Sequence, residues 1–298
     1  MNTATEFSNG LMAAVGKASA GTVLVEARRR YPASGITFGA DLVLTADHVV
    51  TRDDHIRIRT EAGGDYEATI AGRDPGSDLA LLRLSQAALT PTQAAQAAPK
   101  VGQLVLAMGR PSLNGIQASW GIVTAIGGPT RTGRGGLLDQ YFQTETTPYP
   151  GFSGGPLIDT DGQVLGLNTS GLTPGASLTI PTSVAWSIGE ALAKDGTVKR
   201  GYLGVRTQSV ELGESTRQEL KAAQERGLLV VWLEDDGPAA RGGLLVGDII
   251  VGIAGKLVSD PDDIFTALSG DTIGKPVEVR IVRGGKIQTL RVAVGERK

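Results

Sequence analysis

From Thr22 to Thr169 the chain is a succession of short apolar runs divided by turn residues: TVLVEA, DLVLTA, HIRIRT, YEATIAG, LALLRL, LVLAMG, GIVTAIG, PLID and QVLGLNT. Each run holds four to seven residues and is bounded by Gly, Pro, Asp or Ser. HIRIRT alternates apolar and polar positions with period two, as a strand with one wet face does. Many short strands at near-regular spacing predict a sandwich or a barrel. Ahead of them, residues 8–17 fit a short amphipathic helix.

The pattern changes at PTSVAWSIGEALAKDG, residues 181–196. Val184, Ile188 and Leu192 share one helical face, and Gly196 is placed to end the helix. A helix closing a β region makes Asp195–Gly201 a natural boundary. Beyond it GYLGVR and LLVVWL read as strands, with a helix near Glu211–Arg226 between them. DIIVGIAG follows, then a helix from Ser259–Pro261 to about Gly270. VEVRIVRGGKIQTLRVAV reads as a hairpin turning at Gly284–Gly285. The expected organisation is a mainly β domain over 1–198, with 1–18 as an extension, and a small α+β domain over 199–298.

Composition agrees with folded domains. The chain has 298 residues, 41% of them hydrophobic and 20% charged, which supports a buried core and excludes disorder. Glycine, 42 of 298, is about twice the usual ~7% share, as a turn-rich β protein needs. The net charge of −2 gives no basic excess for nucleic acid or an anionic membrane. With no Cys there is no disulfide and no thiolate metal site, and two His make a zinc site improbable, so no cofactor or metal is expected. GDTIGKP at 270–276 resembles a phosphate loop but is one residue short, and Pro276 stands where a hydroxyl is needed, which argues against ATP dependence. The first basic residue is Lys17, and no run of ~18 apolar residues occurs. The chain as written is expected to be cytoplasmic without a membrane span, or periplasmic or at the cell envelope if a leader has been removed.

One stretch raises a chemical question. TTPYPGFSGGPLID, residues 146–159, crowds Gly and Pro around Ser153. Glycines let a tight turn present one hydroxyl and let other groups approach the main chain. A serine hydroxyl is a weak nucleophile until a base takes its proton, and that base needs an orienting acid. Of the two histidines, His48 ends an apolar strand in LVLTADHVV, whereas His55 sits among charges in TRDDHIRI and reads as a solvated strand edge. Taken alone, His48 reads as an ordinary core histidine. Asp78, in GRDPGSDLALLRL, stands where a strand enters the core, and its plain reading is a turn or cap residue. Glu145, in FQTETTP, is a second acid near the serine, with a strand-edge or subsite role favoured.

Together these residues form an ordered set, TADHV, GSDLALL and GFSGGPL, the His…Asp…Ser order of chymotrypsin-type proteases. GRDPGSDLALLRL, VGQLVLAMGRP, FQTETT and DGQVLGLNTSG extend the match. The chain resembles the HtrA (DegP-like) serine proteases over nearly its whole length. The resemblance implies a chymotrypsin-like pair of six-stranded β-barrels with the site between them. It implies His48 as general base, Asp78 as its orienter, Ser153 as nucleophile, and the backbone amides of Gly151 and Ser153 as an oxyanion hole. Two stretches depart from the family pattern. Pro148-Tyr149-Pro150-Gly151-Phe152 stands where Ile-Asn-Pro-Gly-Asn is usual, which puts the switching of that loop in question. Ser34-Gly35-Ile36 stands where Gly-Ser-Gly is usual, and the loop Arg28–Ser34 is short.

RGYLGVR followed by GLLVVWLEDDGPAARGGLLVGDIIVGIAG resembles a bacterial PDZ domain, present once. Such domains add a peptide C-terminus as a strand and hold its carboxylate on loop amides. The matching loop is Tyr202, Leu203, Gly204 and Val205, with Ile264 and Leu268 as groove candidates whose helix face is left open. The implied function is ATP-independent cleavage of unfolded or damaged polypeptides, with peptide C-termini bound at the PDZ domain and a homo-oligomer, a trimer or a multiple of one. Phe7 and Leu11 are the apolar candidates for oligomer contacts. The alternative is a catalytically silent peptide-binding or chaperone scaffold on the same fold.

Overall fold

The computed structural model describes residues 2–86, 89–134, 136–173, 176–220, 224–268 and 272–296. The chain divides into two compact units, Met1–Val198 and Lys199–Lys298.

The first unit opens with α1 (Thr3–Ser19), longer at both ends than the sequence pattern indicates. The Asn2 side chain caps it by accepting from the Ala4 amide at 3.2 Å. Six strands follow: β1 (Thr22–Glu26), β2 (Ala33–Thr37), β3 (Leu42–Ala46), β4 (Ile56–Arg59), β5 (Asp65–Asp74) and β6 (Leu79–Leu84). They close into an antiparallel barrel in the order β1-β2-β3-β6-β5-β4. Next come β7 (Leu104–Ser112), β8 (Gly115–Gly127), and the two-residue partners β9 (Thr130–Arg131) and β10 (Leu137–Leu138). Then follow β11 (Tyr141–Thr144), β12 (Pro156–Ile158), β13 (Val164–Thr173) and β14 (Ala176–Pro181). The second closed barrel runs β11-β14-β13-β12-β7-β8. This is the double-barrel architecture implied by the resemblance.

Strand β4 has the burial alternation of a half-wet strand, whereas β3 and β6 are buried on both faces. Val43, Ala80 and Leu82 fill the first barrel, while Leu44, Leu79 and Leu81 turn outward. In the second barrel Val105, Leu157 and Leu165 fill the interior, while Leu106, Met108, Ile158 and Leu167 turn outward. The outward sets meet in one core shared by the two barrels. Helix α2 (Thr182–Asp195) closes that core with Ala185 and Leu192, and Ala14 and Ala18 of α1 join it. Gly196 ends α2 in the left-handed conformation.

The second unit is a five-strand path with a short added pair. Its elements are β15 (Gly201–Tyr202), β16 (Val205–Glu211), α3 (Glu214–Leu220), β17 (Arg226–Leu233), α4 (Pro238–Arg241), β18 (Ile249–Ile253), β19 (Lys256–Leu257), α5 (Pro261–Ala267), β20 (Pro276–Arg283), β21 (Lys286–Ala293) and β22 (Gly295–Glu296). The path is β16-β17-β18-β20-β21, with β19 on β18 and β15 on β22. GYLGVR is therefore two strands, not one, broken at Leu203–Gly204 where Gly204 has φ +75°. The helix after Ser259 ends at Ala267, and Gly270 lies outside the described residues. Ile264 and Leu268 face the core of this unit beside Leu203 and Val205.

An ion pair staples this sheet. Asp248, buried at the start of β18, accepts from Arg283 Nε and Nη2 at 2.7 Å each and from the Leu245 amide at 2.8 Å. Burial pushes the Asp248 carboxyl up, but the Arg283 and Leu245 hydrogen bonds and the Arg283 charge together hold it below the usual carboxylate range. A lowered folded pKa stabilises above the unfolded value of about 4, and the contribution fades as pH falls through the folded value. Asp248→Asn should therefore lower the melting temperature of residues 199–298 at neutral pH, and its gap to wild type should narrow below about pH 4. Calorimetry from pH 3 to 7 checks this.

Candidate active site

The two barrels each contribute one side of a cleft of about 450 Å3. From the first come Arg28, Tyr31 and His48, and from the second Pro148 to Ser153, Asn168, Ser170 and Ser177.

His48 sits in a single 3-10 turn, Asp47–Val49, directly after β3, rather than on the strand itself. Asp78 holds that turn. Its carbonyl accepts from the Asp47 amide at 2.9 Å and its Oδ1 from the His48 amide at 2.8 Å. Its Oδ2 lies 2.8 Å from His48 Nδ1 and also accepts from the Thr169 hydroxyl. Asp78 is wholly buried and adopts φ +57°, a left-handed conformation that Asp tolerates better than most residues. An ionised carboxylate can only accept, so Nδ1 carries the proton and Nε2 presents a lone pair. That is the tautomer a general base requires.

The ring is held from behind as well. Gly171 passes so close that a Cβ there would lie 2.5 Å from both Asp78 Oδ2 and His48 Nδ1. Beneath the turn a second carboxylate, Asp47, is buried and accepts from Arg73 Nε at 2.6 Å and Arg134 Nη1 at 3.0 Å. Arg134 Nη1 also stands 3.8 Å from Asp78 Oδ1. Two buried acids thus face two guanidiniums, which limits the cost of desolvating them.

Ser153 enters from the other barrel, in the turn between β11 and β12. Its hydroxyl pairs with that of Ser170 at 3.2 Å. The Gly154 amide donates to Asn168 O at 2.8 Å and the Gly155 amide to Phe152 O at 2.8 Å, which winds the turn tightly. Gly151 stands at φ +89°, beyond the reach of a side-chain-bearing residue without strain. Among the described residues, neither the Gly151 nor the Ser153 amide makes a hydrogen bond within the protein. Two unspent amides flanking one hydroxyl can stabilise a developing oxyanion. Phe152 borders the cleft with very little exposed surface. It is buried in the second barrel with Val105 and Leu157, edge-on to Tyr149 at 5.4 Å.

The other sequence candidates fall elsewhere. His55 is 85% exposed, 3.9 Å from Asp54 on the first barrel's surface, and takes no part in the cleft. Glu145 is exposed and is not among the cleft's lining residues. The sequence reading gave no role to Asp47 or Arg28; it took the strand near Leu167–Gly171 as a wall of the substrate pocket, where the structure does place Ser170, but not Thr169 and Gly171 as neighbours of Asp78. Thr169 and Gly171 lie within the NTSG quoted above, at the end of the QVLGLNT run on β13, and that position was the available signal. Burial lowers the Arg28 guanidinium below its ordinary pKa, and its side chain donates to the carbonyls of Tyr31 and Pro32.

In the second unit, the carbonyls of Leu203 and Gly204 accept from the Ala239 and Glu234 amides at 2.8 and 2.9 Å. The Leu203 and Gly204 amides make no protein hydrogen bond among the described residues. Beside them β16 is an edge strand of the sheet.

Fold and cleft together define a trypsin-like peptidase unit followed by a PDZ unit. Residues 33–167 match the model of the trypsin-like peptidase domain, and residues 201–294 match that of the PDZ domain. The chain belongs to the HtrA-type, DegP-like serine proteases. A probable periplasmic serine endoprotease DegP-like of Pseudomonas fulva is 38% identical over 271 residues, covering 88% of this chain and 55% of the relative. Its counterpart in Brucella suis is 32% identical over 270 residues, covering 88% and 52%. The chain spans about half the length of the curated relatives it matches. The HtrA-type protease AlgW, solved with a decapeptide, superposes with a TM-score of 0.81 at 26% identity, covering 97% of this chain and 99% of that one. A serine endoprotease of Yersinia pestis gives 0.79 at 28% identity, covering 97% and 98%. Among the described residues no helix is long and apolar enough to cross a membrane.

The His48–Asp78 geometry has a signature independent of activity. The shared Nδ1 proton should give a strongly downfield resonance in the proton NMR spectrum. Asp78→Asn should abolish it, and Gly171→Ala should shift or abolish it, because the added methyl must displace the pair.

Proposed function

We propose that the chain is an ATP-independent serine endopeptidase that cleaves unfolded or damaged polypeptides. One observation carries the reading: His48, held from behind by the buried Asp78, and Ser153 line one cleft from opposite barrels, beside two unspent amides. In this reading His48 Nε2 takes the Ser153 proton as Oγ attacks the peptide carbonyl. The carbonyl oxygen gathers charge facing the Gly151 and Ser153 amides, each such donor being worth about 3–4 kcal/mol in a comparable site. His48 then gives its proton to the leaving amine. Water attacks the acyl-enzyme with His48 again as base. Asp78 stays ionised and stabilises the imidazolium.

The rival reading, a silent peptide-binding scaffold, draws on one observation, the pairing of Ser153 with Ser170. A fluorophosphonate probe decides, since it reacts only with an activated serine. Wild type should label, Ser153→Ala and His48→Ala should not, and His55→Ala should label within a few-fold of wild type. Labelling that needs His55 and not His48 would falsify the assignment.

The working boundaries are 1–198 for the peptidase portion and 199–298 for the PDZ portion, which the two compact units support. The PDZ portion takes a free peptide C-terminus as a strand on β16, with its carboxylate at the loop Tyr202–Val205. The AlgW structures with a decapeptide and with a tripeptide support peptide binding by this architecture. A homo-oligomer, a trimer or a multiple, is part of the proposal. It is supported by Phe7, 49% exposed, set edge-on at 6.4 Å to the exposed Trp120. The envelope is the compartment favoured here, because the relatives are named periplasmic and nothing comparable supports the cytoplasm. Sedimentation velocity and cell fractionation check these two points. For the PDZ loop, peptides with a free apolar C-terminus should bind about tenfold more tightly than their amides, a charged hydrogen bond being worth roughly 1.5–3 kcal/mol. Titration calorimetry with matched pairs tests it, and equal affinities would make the loop purely structural.

A further inference from the structure

Ser34 lies on β2, wholly buried, in the wall behind the nucleophile turn. Three of its groups engage that turn. Its amide donates to Ser153 O at 3.2 Å. Its hydroxyl donates to Gly151 O at 2.7 Å. Its carbonyl lies against Gly154, where any Cβ would collide with it. The same hydroxyl accepts from the Arg110 amide at 2.8 Å. A main-chain N–H can only donate, so the hydroxyl proton is committed to the Gly151 carbonyl.

The Gly151–Phe152 peptide is thereby held at both ends, its carbonyl by Ser34 and its N–H by Tyr149 O at 3.0 Å. With that plane fixed, the direction of the Gly151 amide is set by Gly151's own φ and ψ, with φ at +89°, and this amide belongs to the next peptide unit back from the one Ser34 holds. Arg110 is itself anchored. Its buried guanidinium donates to Thr22 O at 2.8 Å, and to Ser19 O and Oγ at 3.2 and 2.9 Å. A continuous run of hydrogen bonds therefore leads from the end of α1, through Arg110 and Ser34, to the oxyanion turn.

We infer that Ser34 is a positioning residue for the transition state: its hydroxyl, oriented by the Arg110 amide, keeps the Gly151 N–H facing the cleft. The inference rests on the protease reading above. It touches no substrate, so its loss should spare ground-state binding and weaken the oxyanion contact.

The test uses the full chain with Ser34→Ala and Ser34→Cys, the latter keeping the volume with a feeble donor. Thermal melting establishes that each is folded. Ser34→Ala should lower kcat by about 10–100-fold, short of the 10²–10³-fold typical of deleting a donor outright, with KM within about threefold. Affinity for a peptide aldehyde, whose hemiacetal oxygen takes the oxyanion's place, should fall by the same factor as kcat/KM. Ser34→Cys should fall close to Ala, and it decides the matter if Ala does not fold. A folded Ser34→Cys with wild-type kcat and aldehyde affinity would reduce Ser34 to a space filler and overturn the inference, as would a loss confined to KM. A wild-type chain that neither labels with fluorophosphonate nor cleaves sinks the protease reading itself, whereas an active wild type matched by both variants sinks only this inference.

Discussion

The packing of the two barrels against each other is the constraint on which the site depends. Strands β3, β6, β7, β12 and β13 each send one set of side chains into their own barrel and the other into the shared core. Burying a Leu or Ile contributes about 1.5–3 kcal/mol, so the outward set of Leu44, Leu79, Leu81, Leu106, Met108, Ile158 and Leu167 fixes the barrels firmly in one arrangement. His48 and Asp78 follow β3 and lead into β6, on one side of that core. Ser153 leads into β12, and Thr169 lies on β13, on the other. The Thr169–Asp78 hydrogen bond crosses between the barrels, so the relation of acid to base is set by the same apolar packing.

Buried charge is the cost of that placement. Asp78 is wholly buried and Asp47 nearly so, and an unpaired buried carboxylate is strongly destabilising. The fold answers with directed donors: two from His48 and one from Thr169 on Asp78, and two guanidiniums on Asp47. Each donor also fixes a position. The His48 amide and ring bind the two oxygens of one carboxylate, so the amide keeps the carboxylate aimed at the ring and the imidazole cannot swing without breaking its own contact. Gly171 removes the remaining room behind the ring.

How far the sequence disclosed this depends on which residues carry a pattern. Strands built of Val, Leu and Ile were legible, and so was α2 with its terminal glycine. β2 was not, because its buried residues Ala33, Ser34 and Gly35 are small. Gly35 is squeezed between Val25 and Val43, so size there is dictated by neighbours distant in sequence. β11 and β14 were missed for a related reason: Tyr141–Thr144 and Ala176–Pro181 mix hydroxyls with apolar residues, and Thr179 spends its hydroxyl on Asn168 Oδ1 at 2.8 Å. In the site, His48, Asp78 and Ser153 stood out because their residue types are scarce or their flanks distinctive. Thr169, Ser34 and Asp47 did not, since a hydroxyl or carboxylate acquires its role only from the partner that folding brings to it.

The crowd of Gly and Pro around Ser153 now has a physical account, residue by residue. Gly151 must sit at φ +89° to bring its amide beside the serine. Gly154 must pass flat over the Ser34 carbonyl, and a Cβ on Gly155 would collide with the Met108 carbonyl. Pro148 and Pro150 carry no N–H, so they add no donor to the cleft wall to compete with the two amides left free. Phe152 completes the turn from within, since its burial among Val105, Leu157 and Leu165 ties the residue before the nucleophile into the second barrel's core. The stretch is therefore shaped less by the serine than by its neighbours. Each residue there either leaves an amide unspent toward the cleft or removes a way for the turn to move.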